Sequence, residues 1–140
     1  MPDIVITIVY ACLGIILMMV GNMLIDVVIP CDFPAEIKKG NLAVGYITAG
    51  ASIAVGIIIR SAVISPALEG VSESLMEGVG STILYFAIGI IFCIIGYLVA
   101  KLFNKKYDLN KEIGQGNAAA GLMVAGMFIG LGIVISGVIY

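Results

Sequence analysis

The chain has 140 residues, of which 61% are hydrophobic and only 11% are charged, and its mean hydropathy is +1.20. Water-soluble domains contain far fewer apolar and far more charged residues, so this composition indicates a protein that lies in lipid. The net charge of -2 gives no reason to expect nucleic acid as a partner. Histidine is absent and the three cysteines lack ligand spacing, so we expect no metal and no cofactor.

Four continuous apolar stretches predict four transmembrane helices, and each has about the 20 residues needed to cross the hydrocarbon layer. The expected spans are residues 4–29, 41–64, 82–102 and 117–140. Transmembrane strands are excluded because they alternate between lipid-facing and lumen-facing residues. The first stretch is too long for a signal peptide and follows no basic residue, so we expect it in the mature protein. The predicted fold is an all-α, polytopic membrane protein.

The chain divides into a first helical hairpin at 1–66, an outer link at 67–81 and a second hairpin at 82–140. Apolar residues recur along the link at helical spacing, and three glutamates lie four residues apart, which predicts a short helix on the membrane surface. The apolar residues are Leu68, Val71, Leu75 and Val79, and the glutamates are Glu69, Glu73 and Glu77. Their charge could attract cations to a pore mouth, although such acidic faces are more often simply solvated.

Lysines predict the orientation of the chain in the membrane. They occur in the segments 30–40 and 103–116, whereas the middle link carries none. By the positive-inside rule, both lysine-bearing segments face the cytoplasm of an inner-membrane protein, and both termini lie outside.

The second half of the chain repeats the first. A shift of 76 residues places Asp32 on Asp108 and extends through the Gly-Asn pairs into the following helices, and residues related by this shift are called alignment partners below. Further identical partners are Glu36 with Glu112, Gly40 with Gly116, Asn41 with Asn117, Ala43 with Ala119, Gly45 with Gly121, Ala49 with Ala125, Gly50 with Gly126 and Gly56 with Gly132. In the first helix of each half the shift is 75. We predict a tandem duplication of a helical hairpin, with a parallel repeat about an axis along the membrane normal.

Each Gly-Asn pair precedes a run of small residues. Asn41 and Asn117 are placed to cap the helix that follows, by accepting a hydrogen bond from a free backbone N–H. The alternative is that each asparagine, with the positive helix start behind it, binds an anion or lines an entrance. The small residues predict close helix packing in lipid, since they recur four residues apart. These pairs are Gly45 with Ala49, Gly50 with Ala54, Gly121 with Ala125, and Gly126 with Gly130.

One ordered set of residues carries a family resemblance. The set is Asp26, Pro30, Glu36, Ile37, Gly40, Asn41, Ala43, Gly50 and Gly56, and a weaker version follows downstream. It resembles the prokaryotic inner-membrane family catalogued as domain of unknown function 350, whose members look like paired two-helix units with a Gly-Asn-x-Ala motif in each. The resemblance covers the whole chain and implies a four-helix inner-membrane protein. The second half departs from the pattern, with Lys101 aligned on the acid and Lys105 on the proline.

Ionisable residues in spanning segments are functional candidates because they are costly in lipid. Asp26 and Lys101 occupy matched positions near the cytoplasmic boundary, where they could pair or separately reach interfacial water. Arg60 approaches the outer boundary, where it could snorkel, meet Glu69 or guide an anion. Asn22 is expected to make an interhelical hydrogen bond. With Asn41, Asn117, Gly40, Gly116, Glu36 and Glu112, the three ionisable residues complete the candidate set.

Two function classes remain open. Proteolipid rotor rings need a carboxylate deep in the bilayer, and the second and fourth spanning helices have none, so we exclude a rotor. An oligomeric channel for ions or small solutes is favoured, because one bundle of this size fills its interior with side chains and encloses water only by association. The alternative is an accessory subunit that holds a membrane protein partner. An enzyme is not expected, since no catalytic residues are recognisable.

Overall fold

The computed structural model describes residues 3–68 and 74–139, and every regular element in these ranges is an α-helix. The helices are α1 (Asp3–Val28), α2 (Phe33–Lys38), α3 (Leu42–Leu68), α4 (Leu75–Phe103), α5 (Leu109–Gly114) and α6 (Ala118–Ile139). Four of them, α1, α3, α4 and α6, are long and apolar enough to cross a membrane. The predicted all-α fold with four spanning helices is therefore confirmed.

The outer link differs from its prediction because α4 begins at Leu75 rather than near residue 82. Ser74 caps this helix: its hydroxyl accepts from the Glu77 N–H at 3.2 Å, and the Glu77 carboxylate accepts from the Ser74 N–H at 2.9 Å. This reciprocal pair satisfies two backbone donors and starts the helix early. Residues 75–81 are thus the first turns of α4, and not a separate surface helix. Glu69, Val71 and Glu73 lie outside the described residues.

The short helices α2 and α5 lie at one end of the bundle, called the loop end below, and both end in the same way. Gly40 and Gly116 adopt positive φ angles of 82° and 83°. The next N–H, of Asn41 or Asn117, bonds back to the carbonyl of Glu36 or Glu112 at 2.9 and 3.0 Å. This is a Schellman motif, which favours glycine because residues with a Cβ are strained at such angles. The motif explains the glycine of each Gly-Asn pair.

Helices α3 and α6 form the centre of the bundle and run parallel, since both begin at the loop end. Their backbones touch through small residues. A Cβ built on Gly50 would lie 2.6 Å from Ala125 Cα, and one on Gly132 would lie 2.9 Å from Ala54 Cα. A Cβ on Gly121 would overlap the backbone of Ala43. Backbones can approach this closely only where side chains are absent or very small.

Only half of the predicted small-residue pairs contribute to this contact. Gly50 with Ala54 and Gly121 with Ala125 lie in it, whereas Gly45 with Ala49 and Gly126 with Gly130 do not. The sequence predicted close packing at these pairs without distinguishing which of them meet within the chain. The reason is helix geometry: at 3.6 residues per turn, positions five apart such as 45 and 50 lie about 140° apart around the axis. Each helix thus carries two separate small-residue faces, and the chain uses one of them.

The other two spanning helices pack around this central pair. On α1, the buried residues form one stripe of Gly14, Leu17, Gly21 and Ile25, and the rest of the helix is largely exposed. Gly21 faces Ile90 and Phe86 of α4, and Gly96 of α4 faces Leu131 and Met127 of α6. The centre of the molecule is filled by side chains, including the fully buried Ile47, Val124 and Phe128.

Candidate functional site

Asn41 joins three parts of the loop end. Its carbonyl oxygen accepts from the Val44 N–H at 3.2 Å, which caps α3 as predicted. Its amide nitrogen donates to the Glu36 carboxylate at 2.9 Å and to the backbone oxygen of Ile113 at 2.9 Å. Ile113 belongs to α5, in the other half of the chain. One side chain therefore caps a helix, holds a carboxylate and links the two halves.

Asn117 reproduces two of these three roles. Its carbonyl oxygen accepts from the N–H groups of Ala119 and Ala120 at 3.0 and 3.4 Å, so it caps α6. Its amide nitrogen donates to the Glu112 carboxylate at 2.9 Å. Among the hydrogen bonds of the described residues, this nitrogen makes no bond to the first half of the chain.

The carboxylates beside the two asparagines argue against an anion site at these helix starts. Glu36 and Glu112 each accept from the neighbouring asparagine amide, and so place negative charge where a bound anion would have to lie. The Asn41 hydrogen bond holds the pKa of the Glu36 carboxyl below its usual value of 4.5, and Lys39, 3.5 Å away, acts in the same direction. Glu36 is therefore charged at neutral pH, and repulsion would disfavour a second anion.

Two clefts lie at the loop end. One, of about 390 Å³, lies between Gly40 and Gly116 and includes Glu36, Lys39 and Gln115 in its wall. The other, of about 380 Å³, is bordered by Tyr107, Glu112 and Asn117. The candidates Gly40, Gly116, Asn41, Asn117, Glu36 and Glu112 thus all lie at the loop end, where Asn41 joins the two loops.

Asp26 has a structural partner that the sequence did not suggest. Its carboxylate accepts from the Phe33 N–H at 3.2 Å and thereby caps α2, whereas the adjacent N-cap residue Asp32 makes no side-chain capping bond. In the second half, where Lys101 aligns on Asp26, Asp108 caps α5 itself by accepting from the N–H of Asn110 and of Lys111. The second half thus lacks the acid that caps α2 in the first half, and Asp108 supplies the cap of α5 in its place.

The pairing of Asp26 with Lys101 is not observed. Lys101 is exposed, and within residues 3–68 and 74–139 the ion pair found is that of Lys39 with Glu36. Arg60 is also exposed, on α3 about 27 Å from the helix start at 1.5 Å per residue. Glu69, its predicted partner, lies outside the described residues. The next residue, Ser61, is buried and shares a hydrogen bond with Ser136 of α6.

A cleft of about 360 Å³ lies within the span, between α1, α2 and α3. Its walls are mostly apolar and include Met19, Met23 and Ile37, but Asn22, Asp26 and Thr48 also line it. Asn22 and Thr48 each lie six residues from the loop-end terminus of their helix, about 9 Å inside at 1.5 Å per residue. Polar groups therefore border a cavity at a depth where lipid would otherwise be the solvent.

Asn22 is the least satisfied polar residue of this cleft. Its amide nitrogen donates to the Met18 carbonyl at 3.0 Å and to the Ser52 hydroxyl of α3 at 3.2 Å, which confirms the predicted interhelical bond. Its carbonyl oxygen is buried and finds no hydrogen-bond partner among the residues that the structure describes. A buried acceptor without a donor typically costs about 1–3 kcal/mol, so its retention needs a reason.

Sequence reasoning missed Thr48, which lines this cleft, and Ser52, which bonds Asn22 beside it. They lie four residues apart on α3, which places them on one helix face. That spacing was a readable signal of a polar stripe in an apolar segment. What the spacing could not give is the rotation of α3 that turns Ser52 toward Asn22, because that rotation is set by the packing of α3 on α6.

Comparisons with known proteins agree with the membrane fold. A family model described as Domain of Unknown Function (DUF350) matches residues 1–139. A UPF0719 transmembrane protein of Aquifex aeolicus (strain VF5) is 26% identical over 128 residues, which are 91% of this chain and 46% of the relative. The chain thus spans less than half the length of that relative. No solved structure matches the chain. The transmembrane relative and the four apolar helices together identify a multi-pass membrane protein.

Proposed function

The chain belongs to the Domain of Unknown Function (DUF350) family, and from its geometry we propose that it forms an oligomeric channel for ions or small solutes. The observation that carries this proposal is the cleft within the span that Asn22, Asp26 and Thr48 line. Polar groups such as Asn22 and Thr48, about 9 Å inside their helices, are expensive in lipid, and polar groups in spanning segments commonly mark a pathway for ions or solutes.

Association of several copies is part of the proposal. In a single chain α3 and α6 touch through their backbones, which leaves no room for water between them. The cleft lies on the outside of this pair, between α1, α2 and α3. A water-filled path along these polar groups therefore requires another molecule to close the open side of the cleft.

The proposed channel lies in the cytoplasmic membrane with its loop end in the cytoplasm. Lys38, Lys39, Lys105, Lys106 and Lys111 all fall in the two segments at that end, and such short basic segments stay on the cytoplasmic side. The matched Schellman motifs at Gly40 and Gly116 support a tandem duplication with both copies in the same orientation. A cysteine placed at Lys39 and labelled in intact cells tests the orientation: labelling by a membrane-impermeant maleimide would contradict it.

Flux measurements in proteoliposomes test the channel directly. Thr48→Val removes the hydroxyl with little change in shape, and Asn22→Leu removes the amide, so both should reduce flux of monovalent ions or small solutes at least several-fold. Met19→Leu, which alters the same cleft without changing its polarity, is the matched control and should keep wild-type flux. Vesicles of the wild-type protein that pass no tested ion or solute would overturn the proposal.

The second candidate is an accessory membrane subunit that holds a partner protein. It is favoured by α1, which buries one narrow stripe and leaves side chains such as Ile8, Met19 and Met23 exposed. This candidate predicts co-purification with another membrane protein and no effect of Thr48→Val. We assign no enzymatic activity to either candidate. Silent vesicles combined with a stable partner would favour this second function.

A further inference from the structure

The contact between α3 and α6 joins unlike faces of aligned helices. On α3 the contact uses Ala43, Gly50 and Ala54, called face A, and on α6 it uses Gly121, Ala125 and Gly132, called face B. In a contact with two-fold symmetry, if two residues touch, their alignment partners touch as well. Because Gly50 of α3 contacts Ala125 of α6, such symmetry would also place Gly126 of α6 against Ala49 of α3. That second contact is not made: Ala49 is exposed, and a Cβ on Gly126 would meet no heavy atom of the described residues within 4 Å.

Each helix therefore presents a spare face. The alignment partners of face A on α6 are Ala119, Gly126 and Gly130, called face A′, and all three are exposed. The alignment partners of face B on α3 are Gly45, Ala49 and Gly56, called face B′. A Cβ on Gly45 would meet nothing described within 4 Å, and one on Gly56 would meet only the end of the Met18 side chain, 3.5 Å away. Face A′ and face B′ repeat the two surfaces that fit together inside the chain.

We propose that face A′ of one copy docks on face B′ of a second copy of this chain, and repeats between molecules the α3–α6 contact seen within one. The occupant follows from continuity with the internal interface. The residues that make the existing fit are matched on the spare faces by the same small residue types, with Gly130 in place of Ala54 as the one change. This inference deepens the proposed function, on whose oligomeric channel it rests, by naming the partner and the interface.

A separate observation at the loop end points to the same arrangement. Inside the chain the Asn41 amide reaches the Ile113 backbone oxygen, and Ile113 is fully buried. The equivalent bond would run from Asn117 to the oxygen of Ile37, yet Ile37 is 50% exposed and Asn117 bonds Glu112 instead. Docking of A′ on B′ brings Asn117 of one copy to Ile37 of the next. The Asn117 amide and the Ile37 oxygen could thus form this bond between copies, and they lie on the sides of the molecule that carry face A′ and face B′.

Further apolar residues of α3 and α6 show the same difference in exposure between alignment partners. Ile58 of α3 is 2% exposed beneath α4, whereas its alignment partner Val134 of α6 is 63% exposed. Ala62 is 3% exposed, whereas its partner Val138 is 84% exposed. Inside the chain, Gly89 of α4 faces Ile58 of α3. Gly14 of α1 aligns on Gly89, so in the docked arrangement α1 of the next copy covers Val134 in the way that α4 covers Ile58.

The docking of unlike faces is heterologous, so it continues from copy to copy until it closes. Helices α3 and α6 run parallel, and a repeat of their contact keeps every copy in the same orientation in the membrane. The assembly is then a ring about the membrane normal. The cleft of Asn22, Asp26 and Thr48 lies beside face B′, and the alignment partner of Thr48, Val124, is fully buried inside the chain. The next copy would therefore close the open side of the cleft.

Disulfide cross-linking tests the proposal in lipid nanodiscs. The background carries alanine at Cys12, Cys31 and Cys93, and the test variant adds Ala49→Cys and Gly126→Cys, two positions that face open space within the chain. Oxidation of this variant should give a ladder of covalent dimers, trimers and larger species. Each single-cysteine variant is the matched control and should stay monomeric on a denaturing gel, because unlike faces meet.

Two results would overturn the proposal. Efficient cross-linking of either single variant would indicate a two-fold interface between like faces. A native mass of one copy for the wild-type particle, with no ladder from the double variant, would mean that lipid covers both spare faces. If the ladder forms but vesicles of the same protein pass no solute, the assembly stands and the channel fails. Gly126→Leu supplies a second measurement, since it should reduce a multi-copy native mass to that of the monomer.

Discussion

The side-chain amide of Asn41 donates to the backbone oxygen of Ile113 at 2.9 Å, and this bond joins the two halves of the chain at the loop end. The same amide group holds Glu36, and the carbonyl oxygen of the same side chain caps α3. Asn117 carries the corresponding cap and carboxylate, but within residues 3–68 and 74–139 it makes no bond across to α2. Two asparagines that are equivalent in sequence thus carry unequal structural roles in one molecule.

Substitution of the two asparagines should expose this inequality. Loss of an asparagine N-cap costs about 0.5–2 kcal/mol, and a further hydrogen bond contributes about 0.5–1.5 kcal/mol. We therefore expect Asn41→Ala to lower the free energy of unfolding by about 1 kcal/mol more than Asn117→Ala. The measurement is unfolding by sodium dodecyl sulfate in mild detergent, followed by circular dichroism. Equal losses in the two variants would contradict a special role for the Asn41–Ile113 bond.

Glycines in and out of the α3–α6 contact should respond oppositely to alanine. In Gly121→Ala the new methyl group would overlap the backbone of Ala43, which cannot move aside as a flexible side chain could. Overpacking of this kind costs about 1–3 kcal/mol. Gly80→Ala is the matched control, because its Cβ would meet nothing described within 4 Å and alanine favours a helix by about 0.5–1 kcal/mol. Thermal unfolding in detergent should show a lower midpoint for the first and an unchanged or higher midpoint for the second.

The short helices at the loop end should depend on different acids. Asp108→Ala removes the cap of α5 and should cost about 1 kcal/mol. Asp32→Ala, at the aligned position, should change stability by less than about 0.5 kcal/mol, because α2 is capped by Asp26 instead. Asp26→Ala should then resemble Asp108→Ala, and Asp26→Asn should recover part of the loss by keeping an acceptor. Detergent unfolding curves of the four variants measure these losses of stability. A loss in Asp32→Ala as large as that in Asp108→Ala would contradict the assignment of the α2 cap to Asp26.

Stability should fall in acid partly through Glu36. The pKa of this carboxyl is lowered in the folded protein, mainly by the Asn41 hydrogen bond, so the folded state favours its charged form. Its stabilising contribution is then complete above the usual pKa of 4.5 and is lost as the pH falls through the lower folded value. Unfolding of the wild type and of Glu36→Gln should be compared between pH 3 and pH 7. The difference in free energy of unfolding between the two proteins should shrink toward pH 3. A difference that stays constant with pH would show that the charge of Glu36 does not cause the loss of stability in acid.

The parts predictable from sequence are those that depend on local chemistry. Runs of apolar residues predicted the four spans and Asn41 predicted the cap of α3, because span length and capping depend on neighbouring residues. The helix stop at Gly40 was not predicted, although its positive φ is also a local property. The start of α4 could also have been read from Ser74 and Glu77, whose spacing is that of a capping box. The cleft between α1, α2 and α3 could not be read in this way, since Asn22 and Thr48 are 26 positions apart in the chain.

The sequence by itself determined that the chain crosses lipid four times and reverses direction at two similar Gly-Asn loops, because hydrophobic length and glycine conformation act within a few residues. Only the tertiary structure decided which small-residue face of α3 meets α6. Both faces of each helix satisfy the same compositional rule, and the choice between them depends on how whole helices fit together. That choice makes Asn41 a link between halves, leaves Asn117 without the equivalent bond among the described residues, and turns Thr48 and Ser52 of α3 toward Asn22.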